Sequence, residues 1–488
     1  MNPLASPKCA GRLLMALVAI TSILLTAGCG SNSSGPSPLG GGYSKSSLSG
    51  QYVMKQTGTG VNQAGTSADP FSETTVFTAD GNGNLNILVD DFDQDGVQSV
   101  PTLPETGTYS INSDGTGSLS FDNSNYAITM IDNNHFYLIE EDSFATSSGY
   151  GLAQTTTAFT AAPSGTFVFK AHNIQTSSRV GGITISGGTI AGTEDFLSIG
   201  VNAASRSITG NISAPGSTTG RGTVTLSDGT SFGYYVVSAT EFYFMSDTTT
   251  LEIGQAEAQT GGPFAAATLA SGSSYVFGSS GDTIVSGPAG IHSAGVFTSD
   301  GVSSFTAGAV DFVQDTTVNS NLTVSGGSYT LASNGRGTIA LTLQGAAISP
   351  QIFWMVNGAT GYAYFLANDT LAVEDGTFSL QSSPSLSGQA AFVMDGFDTT
   401  LKDRVGDFET TSSSAFNWNE TANAFSGAGV VTSTGTTGTY TSSTNGRVAV
   451  VVNGVTTTAV FYLSSANTGF MVQEDANIGG AFTLQASQ

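Results

Sequence analysis

The chain contains four copies of one sequence pattern, each of about 110 residues. The motif Leu48-Ser49-Gly50-Gln51 returns as Leu386-Ser387-Gly388-Gln389, and looser copies begin at Ser164 and Ser271. The glycines at positions 50, 165, 272 and 388 lie 115, 107 and 116 residues apart. Because the repeat is an internal alignment, a residue type kept in every copy is architectural, whereas one found in a single copy is a candidate for function.

Short runs rich in Thr, Val, Tyr and Phe, bounded by Gly, Asn and Asp, fill every copy and indicate β-strands. Asp114-Gly115, Asn334-Gly335 and Asn445-Gly446 stand between alternating segments, and such dipeptides favour tight hairpin turns. Each copy then closes with two dense apolar strands, an acid and one more short strand. Each copy therefore has about eight short strands joined in sequence order.

The sequence predicts an all-β fold of four tandem antiparallel meander units, with an eight-stranded up-and-down barrel as the favoured form of each unit. Closure removes exposed sheet edges, and about eight strands enclose room for packed side chains or one small ligand. The strand count and order are loosely similar to the lipocalin and avidin-like architecture, without a ligand site to carry over. A β-sandwich per unit is the alternative, and one propeller built from all four units is a third interpretation.

The repeat also sets the predicted domain boundaries. Residues 30–46 are rich in Gly, Ser and Pro, which is the composition of a flexible tether. The assignment is a lipoprotein signal peptide at 1–28, a tether at 29–46 and β-units at 47–160, 161–262, 268–382 and 385–488.

The first 29 residues have the features of an export signal. Lys8 and Arg12 precede the apolar run Leu13–Leu25, which is shorter than the ~20 residues of a membrane-spanning helix. The run ends in Leu24-Leu25-Thr26-Ala27-Gly28-Cys29, which resembles a bacterial lipoprotein signal. That resemblance implies a lipid on Cys29 and, because Gly30 follows, location at the outer membrane. An ordinary cleaved signal is the alternative.

Beyond the leader, the chain carries 10 basic and 36 acidic residues, a formal charge of −26. This charge repels the phosphates of nucleic acid, so we expect no nucleic-acid partner. The two cysteines, Cys9 and Cys29, leave no pair for a disulfide within the folded units. Leader, tether and repeats are similar to those of repeat-bearing bacterial surface lipoproteins, and the resemblance implies export and anchoring without an activity to transfer.

One acidic segment has the spacing of a calcium loop. Asp91, Asp93 and Asp95 precede Gly96, and carboxylates two residues apart can wrap oxygen atoms around a hard cation. The acid expected later in such a loop is missing, because residue 102 is Thr. Calcium bound by these three aspartates is one hypothesis, and a solvated acidic hairpin is the other. No other cofactor is expected.

The remaining candidate residues form no catalytic set in the sequence. Glu140 and Asp142 could share one strand face, as a glycosidase pair requires, but an acid ends this strand in every copy, which favours architecture. His135, His172 and His292 belong to three different units and lack the spacing of zinc ligands.

Both tryptophans are assigned a role in the protein core. Trp354 lies in an apolar run, while Trp418 alternates with polar residues, so carbohydrate stacking is the alternative for Trp418. Taken together, these features predict a non-catalytic, lipid-anchored surface or envelope protein that serves adhesion, structure, or binding of a polysaccharide or protein through its loop ends. The alternative is small-molecule binding inside the barrels, which requires a cavity of a few hundred Å³.

Overall fold

The computed structural model describes residues 42–61, 67–99, 105–173, 176–283, 290–314, 317–348, 350–398, 400–425, 429–452, 459–474 and 477–485. These residues form 34 strands and three short 3-10 helices, Lys45–Ser47, Thr156–Thr160 and Ala266–Thr268. Within the described ranges, no helix is long and apolar enough to cross a lipid bilayer.

The first two units contain seventeen strands. Unit 1 contains β1 (Ser49–Val61), β2 (Ala68–Asp80), β3 (Asn84–Gln94), β4 (Val97–Ser99), β5 (Glu105–Ile111), β6 (Thr116–Phe121), β7 (Ser124–Asp132), β8 (His135–Glu140) and β9 (Ala145–Ala153). Unit 2 contains β10 (Gly165–Asn173), β11 (Ser177–Ser186), β12 (Thr189–Ser198), β13 (Val201–Ile212), β14 (Arg221–Leu226), β15 (Ser231–Ser238), β16 (Glu241–Ser246) and β17 (Glu252–Ala258).

The last two units repeat this order. Unit 3 contains β18 (Ser274–Thr283), β19 (Gly290–Ser299), β20 (Ser304–Gln314), β21 (Thr317–Leu331), β22 (Arg336–Leu343), β23 (Ala346–Ala347), β24 (Gln351–Asn357), β25 (Tyr362–Ala367) and β26 (Ala372–Leu380). Unit 4 contains β27 (Gln389–Asp398), β28 (Thr400–Ser412), β29 (Ala415–Ala424), β30 (Gly429–Ser442), β31 (Arg447–Val452), β32 (Ala459–Ser465), β33 (Thr468–Gln473) and β34 (Asn477–Leu484).

Each unit is a closed, eight-stranded, up-and-down antiparallel barrel, so the predicted fold is confirmed and the sandwich and propeller alternatives are wrong. Every strand pairs with its neighbours in sequence, and the last strand of each unit pairs with the first. The short strands β4 and β23 are additions at the edges of barrels 1 and 3. The hairpin glycines Gly115, Gly335 and Gly446 have φ of 92°, 93° and 83°, as the turn chemistry predicts.

The barrel interiors are filled by apolar side chains, and residues of the preceding segment plug one end. Tyr43 is buried in barrel 1 and its hydroxyl donates to the carbonyl of Ile131 at 2.8 Å. Phe159 and Phe264 are buried in the cores of barrels 2 and 3. Tyr43, in the segment predicted to be the tether, thus packs with barrel 1, and the helix Thr156–Thr160, at the end of the predicted unit 1, packs with barrel 2.

The four barrels form a closed ring. Separate apolar clusters join barrel 1 to 2, 2 to 3, 3 to 4 and 4 back to 1. In each junction, the outer faces of the first strands of one barrel meet the last strands of the next barrel, as β10 and β11 meet β24 and β25. Such head-to-tail interfaces close into a ring when the rotation between units permits.

A glutamine after the last strand of each barrel repeats one contact around the ring. Its side-chain amide donates to a backbone carbonyl in the dense apolar strand of the next barrel, at 2.5 to 2.8 Å. The donors are Gln154, Gln259, Gln381 and Gln485, and the acceptors are Val236, Met355, Leu463 and Met130. Gln485 therefore bonds the end of the fourth barrel to the first.

Candidate functional site: the axial passage

Two adjoining cavities run along the axis of the ring, with volumes of about 530 and 520 Å³. All four barrels line both cavities. The first lies among residues that flank the first hairpin of every barrel: Thr59, Asn173, Gly290 and Leu401. The second extends past Leu152, which pairs with Val53, so at 3.3 Å per residue the two together span roughly 20 Å. We call this space the axial passage.

The passage wall contains one equivalent position from the first strand of each barrel. Lys55, Lys170, Gly278 and Asp395 follow the matching segments that open the four units, and all four line the second cavity. The residue immediately before each of these positions belongs to the barrel core. Successive strand residues point to opposite faces, so the side chains of Lys55, Lys170 and Asp395 project out of their barrels. The repeat thus keeps the position and varies its charge.

An ion pair between barrels 2 and 3 lies where the two cavities meet. Lys170 Nζ is 3.2 Å from Asp375 Oδ1, and both residues line both cavities. Asp375 also accepts a hydrogen bond from Ser178 Oγ at 3.1 Å, and His172 Nδ1 lies 3.9 Å away. Lys170 holds the pKa of Asp375 below its usual value despite burial of the carboxyl. This part of the wall therefore carries two opposite charges, on Lys170 and Asp375, that compensate each other.

Lys55 is the most enclosed cation of the passage. Its ammonium lies 4.8 and 4.7 Å from the ring centres of Tyr150 and Tyr243 and donates to Gln255 Oε1 at 2.9 Å. Burial, with Lys170 nearby, lowers the pKa of Lys55 to about 7. The protein thus places three of its five lysines, Lys55, Lys170 and Lys402, in the passage wall.

The wall contributed by barrel 4 carries buried acids. Burial raises the pKa of Asp395 to about 6 and raises that of Asp403 well above its usual range, with Asp395 adding to the second shift. Thr146 of barrel 1 donates a hydrogen bond to Asp403. A protonated carboxyl can both donate and accept, so the raised pKa of Asp403 lets this wall bond a polar, uncharged partner, while Asp395 gains this capacity as the pH falls below about 6. Further hydroxyl and amide groups line the passage at Thr57, Ser148, Asn173 and Ser280.

All three histidines line this passage, although the sequence indicates no constellation. His135 is the first residue of β8 and pairs with Asp132 at 2.7 Å, while His292 is buried and burial lowers its pKa to about 4. Within the described residues, no group of three His, Cys, Asp or Glu side chains comes close enough to hold a metal ion. The varied charge at the equivalent first-strand positions was the signal that could have located the passage from the sequence.

The predicted calcium residues are dispersed by the structure. Arg221 of barrel 2 donates to Asp91 at 2.5 Å, and Tyr235 donates to the same carboxylate, so Asp91 belongs to the junction between barrels 1 and 2. Asp93 is buried, and burial raises its pKa to about 6. Asp95 lies in the turn after β3 with φ of 51°. Calcium binding stays a prediction that calorimetry can test, and any calcium would compete with Arg221 for Asp91.

The strand-end acids are structural where the structure describes them. Asp142 accepts the backbone N–H of Phe144 at 3.0 Å, and Asp369 accepts that of Leu371 at 2.8 Å. Both bonds are the local side-chain bonds that stabilise turns. Asp247 instead lies 3.4 Å from Arg221, and Asp475 lies outside the described residues.

The two tryptophans have different environments. Trp418 is in the core of barrel 4, as predicted. Trp354 has the predicted core role, in the apolar cluster between barrels 2 and 3 and not inside a barrel, and its indole N–H donates to Asp195 at 2.9 Å. The sequence indicated burial but not the partner, because the second apolar face of this strand is covered by another barrel.

The interior of barrel 2 contains a cavity of about 50 Å³. Small-molecule sites occupy about 300 Å³ or more, so barrel 2 has room for water or a small group only. Each of the two cavities of the axial passage exceeds that size. Predicted lipidation at Cys29 lies outside the described residues and stays a prediction.

No protein-family model matches this chain, and no curated protein matches it. Among solved structures, a mutant of the vaccine antigen transferrin binding protein B from Haemophilus parasuis is 8% identical. The alignment covers 68% of this chain and 77% of that chain, with a TM-score of 0.22. No residue role follows from so low a similarity, so the function must be argued from the ring itself.

Proposed function

We propose that this protein is a non-catalytic, lipid-anchored binding protein of the bacterial surface or envelope, and that its ligand occupies the axial passage. The observation that carries the proposal is that all four barrels line the same two adjoining cavities, of about 530 and 520 Å³, with polar and apolar groups. No single barrel forms this space. Binding there depends on the closed ring, which gives a reason for four copies in one chain.

The wall chemistry favours a hydroxyl-rich ligand such as a segment of polysaccharide. Threonine, serine and asparagine side chains line the first cavity together with two carboxyls of raised pKa, Asp395 and Asp403, and one neutralised ion pair. Phe397 and Tyr137 add aromatic surface at two levels of the passage, on which sugar rings can stack. A volume of this size, distributed over roughly 20 Å, suits an elongated chain better than a compact molecule.

The ionisable groups of the wall support a binding role rather than catalysis. Lys170 and Asp375 neutralise each other across a junction, and Asp403 accepts a hydrogen bond across another. Lys55 is held between two tyrosine rings and a glutamine. These groups form contacts between neighbouring barrels, and those contacts compensate their charges.

Anchoring fits the direction of the chain. In an up-and-down barrel, the strand that begins a unit and the strand that ends it start and finish at the same end, so the linkers between barrels all lie on one face of the ring. The N-terminal segment joins barrel 1 on this linker face, where Gly42 bonds Ser113. A lipid on Cys29 would therefore hold the linker face toward the membrane and direct the mouth of the first cavity outward.

The test is calorimetry and a glycan and peptidoglycan array with the mature chain. Thr57→Trp fills the passage and should abolish binding, whereas Thr306→Trp, at an exposed strand position away from the passage, should leave it unchanged. Equal binding by both variants would place the ligand elsewhere and refute the proposal.

A protein partner on the outward face is the second candidate. Of the ten large apolar residues exposed in the described part of the chain, eight lie at hairpins of this face. They are Val97, Phe144, Ile199, Val201, Val318, Leu371, Val430 and Val431. Exposed apolar groups on one side of an acidic protein are typical of a docking surface. Loss of partner binding in Val431→Ser, with glycan binding retained, would favour this candidate.

A further inference from the structure

Three of the four junctions of the ring share one charged contact. An arginine after the glycine of the fourth hairpin turn pairs with an aspartate on the third strand of the preceding barrel, beside an aromatic side chain. The three sets are Arg221 with Asp91 and Tyr235, Arg336 with Asp195 and Trp354, and Arg447 with Asp311 and Tyr462. In the last two junctions, the arginine makes two hydrogen bonds of 2.7 and 2.8 Å.

The junction between barrels 4 and 1 replaces every member of this contact. Thr116 stands in the place of the arginine, Asn423 in that of the aspartate and Thr129 in that of the aromatic residue. Asn423 donates instead to the carbonyls of Glu140, Asp142 and Ala145 at 2.7 to 2.9 Å. Because both the arginine and the aspartate are replaced at this junction, neither charge is left without its partner, and the contact is neutral.

The apolar part of this junction is also reduced. Its cluster has three buried members, Ala127, Ile139 and Val405, whereas each of the other three junctions has eight. A fully buried large apolar side chain contributes about 1.5–3 kcal/mol, so the difference is large. What remains is a close approach of β27 and β28 to β7, β8 and β9 through small side chains, with hydrogen bonds such as those of Gln485 and Asn423, which contribute about 1 kcal/mol each.

Chain connectivity makes this junction unique in a second way. The other three junctions join barrels that follow one another in the chain, so their linkers keep the two barrels together. Barrels 1 and 4 are the first and the last, and no linker joins them. Separation here turns the ring into an open arc while every barrel stays folded and every other junction stays intact.

The same junction forms one wall of the axial passage. Thr146 of barrel 1 and Asp403 of barrel 4 both line the first cavity and bond each other across the junction. Separation of the two barrels would therefore open the passage along its side. An axial route, in contrast, admits only ligands that have a free end narrow enough to thread.

We propose that the junction between barrels 4 and 1 is a lateral gate through which a continuous polysaccharide strand, without a free end, is taken into the axial passage. The proposal rests on the proposed function, because it assumes that a polysaccharide occupies the passage. It adds the form of the ligand and the route by which the ligand arrives. The gate opens by parting two outer barrel surfaces, and no strand pairing is broken.

A disulfide across the gate tests the route. Ala127→Cys with Val405→Cys closes the gate, and Val180→Cys with Ile352→Cys is the matched pair at the junction of barrels 2 and 3. Both are made in the chain with Cys9 and Cys29 replaced by serine. The probes are intact peptidoglycan sacculi, whose glycan strands are held in a network, and soluble fragments of the same material released by muramidase.

The oxidised gate variant should bind fragments but lose at least tenfold in its binding rate to sacculi, and reduction should restore the rate. The oxidised control pair should bind both probes. Undiminished binding of sacculi by the locked gate would overturn the proposal. If the reduced proteins bind neither probe, the proposed function fails for this polysaccharide, and the gate is then judged by a measurement that needs no ligand.

That measurement is the alkylation rate of single buried cysteines. Val405 and Val180 are both at most 2% exposed, so Val405→Cys and Val180→Cys react with a bulky thiol reagent only when their junctions part. We expect Val405→Cys to react at least tenfold faster. Equal rates would refute the gate whatever the ligand.

Discussion

The contact of Arg336 with Asp195 offers the sharpest test of how the ring is held together. The Asp195 side chain has no exposed surface, and it accepts two bonds from Arg336 and one from Trp354. Arg336→Thr, which copies the residue found at the fourth junction, leaves that carboxylate buried with only the indole N–H. Removal of one partner of a buried pair costs about 3–5 kcal/mol. Because Arg336 is about one-third exposed, we expect about 3 kcal/mol.

The double variant Arg336→Thr with Asp195→Asn should be milder, because no buried charge is stranded. It reproduces Thr116 and Asn423 of the fourth junction and should cost about 1 kcal/mol, which is about 2 kcal/mol less than the cost of Arg336→Thr alone. The assay is urea unfolding followed by tryptophan fluorescence in a Trp418→Phe background, where Trp354 at this junction is the sole reporter.

With a urea dependence of 1.5–3 kcal/mol per molar, a loss of 3 kcal/mol lowers the transition of this reporter by about 1–2 M. Lys45→Thr, which removes an exposed cation, is the control and should leave the transition in place. A single Arg336 variant no less stable than the double variant would show that the pair does not stabilise the junction, and the reasoning about the gate would lose its basis.

Three further predictions concern other parts of the ring. Tyr43→Ala should destabilise barrel 1 by about 3 kcal/mol in calorimetric unfolding. Tyr43→Phe should cost about 1 kcal/mol, because it keeps the buried ring and loses the hydroxyl bond to Ile131, and equal losses would contradict the packing role. Burial raises the pKa of Asp407 from 3.8 to about 7, so the folded state favours the protonated form. The stability that this carboxyl contributes below about pH 4 should therefore be lost as the pH rises to about 7. Asp407→Asn should reduce this loss, as measured by thermal unfolding at a series of pH values. Gln485→Ala should raise the alkylation rate of Val405→Cys severalfold, whereas Gln259→Ala should not, and the reverse result would place the weak junction elsewhere.

The barrel architecture was readable from the sequence because it depends on local signals. Alternating segments, Asn-Gly and Asp-Gly turns and the fourfold period each restrict neighbouring residues, and the hairpins at Gly115, Gly335 and Gly446 formed as predicted. The repeat also assigned the acids Asp142 and Asp369 to architecture, and their turn bonds agree. Trp418 was placed correctly because alternation in its strand indicates one buried face.

The ring was harder to foresee, although its signal was present. The run Ile352-Phe353-Trp354-Met355-Val356 is apolar without alternation, which indicates a strand buried on both faces. One face lies in barrel 3 and the other packs on barrel 2. The sequence could not say that the second partner is a neighbouring barrel, because pairing between units depends on surface shape and not on local pattern.

The sequence by itself determined four acidic β-barrels in tandem, and it predicts export and an anchor. Only the tertiary structure decided that the barrels close into a ring, that lysines and histidines from distant units gather on its axis, and that one junction differs from the other three. The physical reason is that strand and turn formation follow from neighbours in the chain, whereas the rotation between barrels is set by four outer surfaces packed together. The passage and its gate exist only where residues hundreds of positions apart, such as Thr146 and Asp403, meet.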